Sequence, residues 1–421
     1  MLLFFIDFII KNDIIFYELL TEKEGIIMKK ILSILLAAVL AFGILMPAYA
    51  ETNANEKLQF DKDGNFRIMQ ISDIQDGTVL TPATKTFLKE VVIDAQPDVI
   101  VLTGDNISAG SATAGTHAID LQLVKYAISN YMSVFEEIGI PVAVVFGNHD
   151  AEEIVTKEEQ MEFYTSYDCC IAVDEGEAIY GCGTYNVPIY SSADSSKVAY
   201  NLWMIDSNMY DEDGYDHVHK DQLDWYVKTS NELKAQNGGK SVPSMMFQHI
   251  IVNEIYDIIF EVSESEKDKY EYVKVEEDDG TVKYYAFNPD NYVTGELNET
   301  PCPPSKNGGQ FETVKNQGDV VAMFFGHDHK NSFVVDYEGV DLVNTPSAGF
   351  GSYGDHGRGV RIIDIKENST EYETSVITYL DFYADNNYML AQFELYGNEF
   401  SAGEKILAFF KTIIFGIAEL F

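Results

Sequence analysis

The stretch VVAMFFGHDH, residues 320–329, decides how this chain is read. Its apolar half is β-branched and aromatic, has the length of a buried strand, and is too short for a helix with a polar face. It stops on two histidines, His327 and His329, at alternate positions after a glycine. A bend there turns both imidazoles toward one crevice. The same grammar occurs four times upstream: FRIMQISD (66–73) ends at Asp73, DVIVLTGD (98–105) at Asp105, VAVVFGNHD (142–150) at Asn148 and His149, and VPSMMFQH (242–249) at His249. In an open α/β sheet the carboxyl ends of parallel strands share one edge, and ligands bind at that edge. Residues scattered over more than half of the sequence then become neighbours. Carboxylate, amide and imidazole groups converge, which is the donor set of a metal site.

Each stop has a plainer reading when taken alone. An Asp after a strand is commonly a turn or a helix cap, and Gly104-Asp105-Asn106 reads as a turn. A lone histidine at a strand end is more often structural than a ligand. Four of the chain's eight histidines in one topological slot are not covered by that reading.

The rest of the chain bounds the answer. Its 421 residues, 46% hydrophobic, suffice for one large core or two ordinary ones. A formal charge of -40 repels nucleic acid, heparin and anionic bilayers, and no Lys/Arg cluster reverses the sign locally. A small phosphate ester can still be held where metal cations supply positive charge. Four cysteines, Cys169, Cys170, Cys182 and Cys302, allow three full pairings, and the sequence does not choose among them. Met28-Lys29-Lys30, the apolar run ILSILLAAVLAFGIL and Ala48-Tyr49-Ala50 have the order of a secretory signal over 28–50. Residues 1–27 then read as an upstream mis-start extension, with translation beginning at Met28 and an extracytoplasmic or secreted mature chain beginning near Glu51. Residues 51–65 are polar and read as a flexible lead-in.

From Phe66 to about Ile365 strands alternate with amphipathic helices, expected over 84–95, 118–137, 157–167 and 220–236. Strands over 198–206 and 339–343 extend the sheet, and 359–366 with 372–380 form a closing antiparallel pair. Two insertions interrupt the domain at 66–380: residues 151–196, and the acidic, tyrosine-rich residues 253–315. The second contains a predicted β-hairpin around Asp279-Gly280 that serves as a lid or as surface ornament. Residues 381–421 form a C-terminal segment whose apolar positions Ile406, Leu407, Phe409, Phe410, Ile413, Ile414 and Ile417 make an amphipathic helix. That helix either docks on the domain or makes peripheral contact with a membrane.

The motifs resemble those of the calcineurin-like metallophosphoesterases, in the purple-acid-phosphatase-like branch. The family pattern is Asp-x-His, Gly-Asp, Gly-Asn-His-Asp/Glu, a later His, and Gly-His-x-His. Here it runs Asp73-Ile74-Gln75, Gly104-Asp105, Gly147-Asn148-His149-Asp150, His249 and Gly326-His327-Asp328-His329. The branch is suggested by TGDNI (103–107), GTYNVPI (183–189) and DQLDWY (221–226). The resemblance implies an α/β fold, a four-layer α/β/β/α sandwich of two mixed sheets flanked by helices. It implies two divalent metal ions (Mn, Mg, Fe or Zn) bridged by Asp105. Asp73, Gln75 and His329 would hold one, and Asn148, His249 and His327 the other. His149 would stand by the leaving group, with Asp150 behind it to fix its tautomer. The implied activity is hydrolysis of phosphomonoesters or small phosphodiesters by direct attack of a metal-bridging hydroxide.

Gln75 departs from the pattern, because the family has histidine there. A carboxamide oxygen is a weaker, harder ligand than imidazole, so it favours Mg²⁺ or Mn²⁺ over zinc and loosens the first site. Where Gln75 does not ligate, water or Asp76 takes the position. Position 108 is Ser, where purple acid phosphatases carry a tyrosine ligand, so no charge-transfer ferric centre is expected. Other readings are a nucleotide or phospholipid-headgroup diesterase, or a non-catalytic binding protein on a degenerate scaffold. Asp206, Tyr353, Asp355, His356 and Arg358 rank second as site residues, and His117, His217 and His219 read as surface.

Overall fold

Strand Val320–Phe325 shows how the layers form. Successive side chains of a strand point to opposite faces, and here Ala322 and Phe324 enter one hydrophobic core while Met323 and Phe325 enter another. Leu202 and Met204 against Trp203, and Met245 and Phe247 against Met246, divide in the same way. The first core is shared with Ile68, Val101 and Val144 of a second sheet. In the other core, Trp203, Met246 and Met323 pack on Leu223 and Tyr226 of helix Lys220–Gln236 and on Phe311 and Val314 of helix Gln310–Gln317. Helices Pro82–Ala95 and His117–Ile138 cover the far side of the second sheet through Phe87, Val91, Tyr131 and Phe135. The fold is a four-layer α/β/β/α sandwich of two mixed sheets.

The computed structural model describes residues 57–418, apart from 109–115, 153, 177, 271 and 277–279. The extension over 1–27, the signal over 28–50 and the tip of the 272–287 hairpin lie outside the described residues. The five-stranded sheet runs Tyr372–Thr378, Gly359–Lys366, Asn65–Ile71, Val99–Thr103, Val142–Val145, and the last three strands are parallel. The first two are the expected antiparallel closing pair. The seven-stranded sheet runs Tyr292–Thr294, Val334–Tyr337, Val340–Asn344, Val320–Phe325, Ser244–Phe247, Asp194–Met204, Tyr185–Ser191, with four central parallel strands.

Several expectations need correction. Residues 57–65 are not a flexible lead-in: Phe60 is buried, its N–H donates to Tyr190 O, and Tyr190 N–H donates to Leu58 O. The 151–196 segment ends in strand Tyr185–Ser191, an integral edge of the larger sheet, and 253–315 contributes strand Tyr292–Thr294 to the opposite edge. Helix Pro82–Ala95 starts two residues earlier than its apolar stripe suggests. Thr81 caps it by accepting from Thr84 N–H, and Pro82 suits the first turn. All four cysteines are free. The C-terminal helix Ala402–Ala418 docks on helix Asn387–Tyr396 through buried Ala408 and a Lys411–Glu394 ion pair at 2.6 Å. Its outer face still leaves Ile406, Leu407, Phe409, Phe410, Ile413, Ile414 and Ile417 exposed.

The outer helix is tied to the sheet by a buried polar cluster. Tyr226 Oη donates to Asp319 Oδ1, Ser230 Oγ donates to Asp319 Oδ2 at 2.9 Å, and Trp203 Nε1 donates to Ser244 Oγ at 2.9 Å. Burial pushes the Asp319 carboxyl above its usual range, so each donor offsets desolvation. Tyr226→Phe removes one donor from a buried carboxylate and is expected to cost about 1–3 kcal/mol. Chemical denaturation should show a lower midpoint at unchanged slope, and an unchanged midpoint would refute the assignment.

Candidate metal centre

The five ligand-bearing strand ends divide between the two sheets. Asp73, Asp105, Asn148 and His149 follow strands of the five-stranded sheet, whereas His249, His327 and His329 follow strands of the seven-stranded one. The sheets are joined just beneath by Gln70, whose Nε2 donates to Thr103 Oγ1 and to Phe325 O, both at 3.0 Å. Its Oε1 accepts from Thr345 Oγ1 at 2.6 Å. Glycines before the ligands permit the close approach. A Cβ on Gly326 would lie 1.8 Å from Ser72 Oγ, and one on Gly147 would lie 2.2 Å from Asp105 Oδ1. Asp73, Gln75, Asp105 and His327 have positive φ of 51°, 36°, 48° and 70°, a conformation that costs non-glycine residues free energy.

Two groups of donors result, and they share Asp105. In one, Asp73, Asp105 and His329 place their ligand atoms within 4.8 Å of one another, and Asp105, His249 and His327 do so in the other. His329 Nε2 is 3.3 Å from Asp73 Oδ1, and His249 Nε2 is 3.1 Å from Asp105 Oδ2. The opposite nitrogens are fixed by backbone acceptors: His249 Nδ1 bonds Thr103 O and His329 Nδ1 bonds Tyr353 O, both at 2.9 Å. Such bonds set the tautomer and leave Nε2 lone pairs facing inward. Asn148 is buried at the end of the strand that neighbours Asp105's. Its Nδ2 donates to Tyr210 Oη at 3.4 Å, while its buried Oδ1 has no hydrogen-bond partner. Asp73 Oδ1 is equally orphaned. Buried oxygens without partners are costly, and a cation at each group would satisfy the orphaned oxygen there, so this donor set fits divalent metals.

The electrostatics agree. Burial raises the pKa of Asp73 and Asp105, but neighbouring imidazoles outweigh it and hold both carboxyls below the usual range. Burial lowers His249, yet Asp105 and Asp73 override it and lift that imidazole to about 10. His327 goes the other way, to about 3, through burial and the neighbouring His249. Burial opposes charge on His329 too, but Asp73 outweighs it, so the two carboxylates favour charge on His249 and His329 beside a His327 that resists it. Cations at the same place remove that conflict.

His149 stands at the open side, with Nε2 3.9 Å from Asp105 Oδ2 and Nδ1 2.7 Å from Glu152 Oε2. Asp150 is not its partner, contrary to expectation. The short helix Asn148–Ala151 turns Asp150 inward, where it accepts from the N–H groups of Gly147, Asn106 and Ile107. Burial and the charge of Asp105 still push Asp150 up to about 7. Asp76 is likewise committed, accepting from Thr81 N–H and Phe350 N–H. Sequence reasoning missed Glu152, which ends a short helix, and Tyr210 and Tyr215, which pair in a two-residue ribbon; none follows an apolar run. Tyr210 Oη donates to Glu152 Oε1 at 2.9 Å, and Tyr215 meets the His327 ring edge-on with centroids 4.5 Å apart. Of the second-rank residues, Tyr353 stacks on His329 at 4.1 Å, Asp206 pairs with Lys157, and Arg358 is buried against Gly349 O and Ser352 O. His356 is exposed, near Glu296. Within the 253–315 insertion the hairpin packs into the outer core through Val275 and Tyr285, and it is 299–302 that approaches the centre, where Cys302 N–H donates to Asp328 Oδ1 at 3.2 Å.

A family model described as calcineurin-like phosphoesterase matches residues 66–331, the span that carries all of these donors. The chain belongs to that family. Among its relatives is the Arabidopsis thaliana protein named "Probable inactive purple acid phosphatase 14", 27% identical over 75% of this chain and 79% of its own. Another from the same plant, "Probable inactive purple acid phosphatase 29", is 27% identical over 77% of this chain and 82% of its own. Among solved structures, a dimetal phosphatase from Danio rerio aligns with TM-score 0.44 and 12% identity, covering 74% of this chain and 98% of that one.

Against the family pattern, Gln75 is the exception in three dimensions as well. Its Nε2 donates to Asp105 Oδ2 at 2.8 Å, so an amide N–H without a lone pair faces the shared carboxylate. Gln75 stands as a donor to the bridge, not as the ligand expected; only rotation of the carboxamide would present its oxygen. Titration calorimetry with Mn²⁺ should therefore resolve two unequal steps. Gln75→His is expected to tighten the weaker one by on the order of tenfold. Two equal steps, insensitive to the substitution, would contradict the role given to Gln75.

Proposed function

We propose that the chain hydrolyses small phosphate esters, monoesters or compact diesters, at the Asp105 centre, and does so as an exported protein. The observation that carries the reading is one buried carboxylate shared by two donor groups, with a single partly exposed imidazole, His149, beside it. Asp73, Asp105 and His329 would hold one divalent cation (Mn, Mg, Fe or Zn), and Asp105, Asn148, His249 and His327 the other. When bound, such a pair supplies Lewis-acid polarisation of phosphoryl oxygens and lowers the pKa of water for direct attack.

The chain's own residues do the rest. Thr103 O and Tyr353 O hold His249 and His329 in the ligating tautomer. Glu152 holds the His149 ring by Nδ1, so that Nε2 faces the centre and can pass a proton to the departing oxygen. Tyr210 and Tyr215, stacked with centroids 5.2 Å apart, form an apolar wall beside His327 and Asn148. That wall favours an ester with a flat leaving group. The charge of -40 opposes nucleic acid as substrate.

The relatives named inactive, together with Gln75, favour one second reading, a binding protein on the same scaffold. An assay of the full chain on p-nitrophenyl phosphate and its bis-ester with Mn²⁺ decides between them. Hydrolysis is expected in the wild type, abolished by Asp105→Asn and reduced about 10²–10⁴-fold by His149→Ala. No hydrolysis with any divalent metal establishes the binding reading. Full activity in both variants refutes the site.

The exposed face of helix Ala402–Ala418 belongs to the same reading as a membrane-surface contact. No helix among the described residues is long and apolar enough to cross a bilayer. Isoleucine and phenylalanine on one face suit shallow insertion among acyl chains, and the charge selects neutral lipid. Full chain should float with phosphatidylcholine vesicles, and the double variant Ile406→Ser/Phe410→Ser should not. Equal recovery of both proteins in the unfloated fraction would overturn this contact.

A further inference from the structure

Asp216, His217 and His219 form a cluster that the Asp105 centre does not use. Their ligand atoms all lie within 4.8 Å of one another. His217 Nδ1 is 3.2 Å from Asp216 Oδ1 and His219 Nε2 is 3.0 Å from Asp216 Oδ2. The carboxylate is 3% exposed, whereas the two imidazoles above it are 26% and 30% exposed. His217 Nδ1 is itself buried and makes no hydrogen bond. The rings are held by stacking: Tyr180 lies on His219 at 3.7 Å and 4°, and His219 on His217 at 4.8 Å and 18°. The direction of each nitrogen is therefore set before any ligand arrives.

We propose that Asp216, His217 and His219 bind a third divalent cation, of the zinc class. Zinc takes imidazole nitrogen and carboxylate oxygen at about 2.0–2.2 Å, so ligands around it lie roughly 3–3.5 Å apart. The two nitrogen-to-oxygen distances fall in that range. Two imidazoles with one carboxylate suit zinc, copper or nickel, whereas Mg²⁺ and Mn²⁺ prefer oxygen-rich sets. The partial exposure of both rings leaves a side open for water as a further ligand. Surface charge draws cations toward the cluster. Lys157, the ammonium that acts on Tyr180, is neutralised by its ion pair with Asp206.

The placement gives such an ion a task. Asp216 directly follows strand Gly214–Tyr215, whose Tyr215 rests on His327, and His219 is the N-cap of helix Lys220–Gln236. A cation there ties the aromatic wall of the Asp105 centre to the outer helix. The site is independent of ester hydrolysis and stands or falls whether or not the chain is catalytic.

The test is a count. Full chain stripped by a chelator, loaded with Zn²⁺ and desalted is measured for zinc per chain by mass spectrometry. Because zinc also enters the Asp105 centre, the difference between variants is read, not the total. His217→Gln and Asp216→Asn are expected to hold one zinc fewer than wild type, and His117→Gln, at an exposed histidine elsewhere, the same number. His217→Gln removes no hydrogen bond of Nδ1, and a wild-type circular dichroism melt of its stripped form separates metal loss from misfolding. Equal zinc in wild type, His217→Gln and Asp216→Asn would overturn the proposal and leave Asp216 as a hydrogen-bonded anchor for His219.

Discussion

Everything at the centre depends on two sheets meeting in register, and the contact that enforces it is the buried carboxamide of Gln70. It lies on the middle strand of one sheet and bonds a neighbouring strand, Thr103, together with Phe325 O and Thr345 Oγ1 of the other sheet. Arg361 Nε adds a bond to the same Thr345 hydroxyl at 2.9 Å, and its Nη2 donates to Asn344 O at 2.7 Å. Face-to-face sheets held only by apolar contact can slide. A fully satisfied polar network in low dielectric has one good arrangement and penalises all others. Phe325 is two residues before His327, and Ser347, two residues after Thr345, donates its N–H to His329 O at 3.0 Å, so a fixed Gln70 means fixed imidazoles.

The backbone above this junction is strained where the chemistry is. Of eight non-glycine residues with positive φ among the described residues, Asp73, Gln75, Asp105 and His327 belong to the centre. Such conformations persist where the surroundings over-determine them. Here the surroundings are mutual: His327 N–H donates to Asp73 Oδ2 at 3.1 Å and His149 N–H donates to Asp105 Oδ1 at 2.8 Å. The carboxylates of Asp73 and Asp105 therefore hold the loops that carry the other donors.

Much of this was legible in the chain. Continuous apolar runs of strand length and their terminal polar stops are local properties, and they put Asp73, Asp105, Asn148, His149, His249, His327 and His329 on one rim. The presence of two sheets came only from a resemblance, and which ends belong to which sheet was not read at all, because no local pattern distinguishes one sheet from two packed ones. Side-chain pairing was not legible at all. Asp150 follows His149 in sequence, yet a single helical turn sends it inward to backbone N–H groups and leaves Glu152 to face the ring. Tyr210 and Tyr215 reach the centre from a two-stranded ribbon whose docking depends on the 302–308 segment, through Ser305 N–H to Tyr215 O. Of His217 and His219, expected at the surface, His219 is covered on one face by Tyr180 and His217 stacks on His219, contacts that no spacing rule reports.

The division of donors between the sheets has a mechanical consequence. The first donor is Asp73 and the last is His329, so no early portion of the chain owns a complete set, and a cation cannot act as a seed around which folding begins. A cation held there would act as a latch, closing only once both halves have met. Free energy from the ion then adds to the whole sandwich, about 2.7 kcal/mol when free metal stands at a hundredfold its dissociation constant. A chelator, on this view, loosens a joint between two slabs of the molecule.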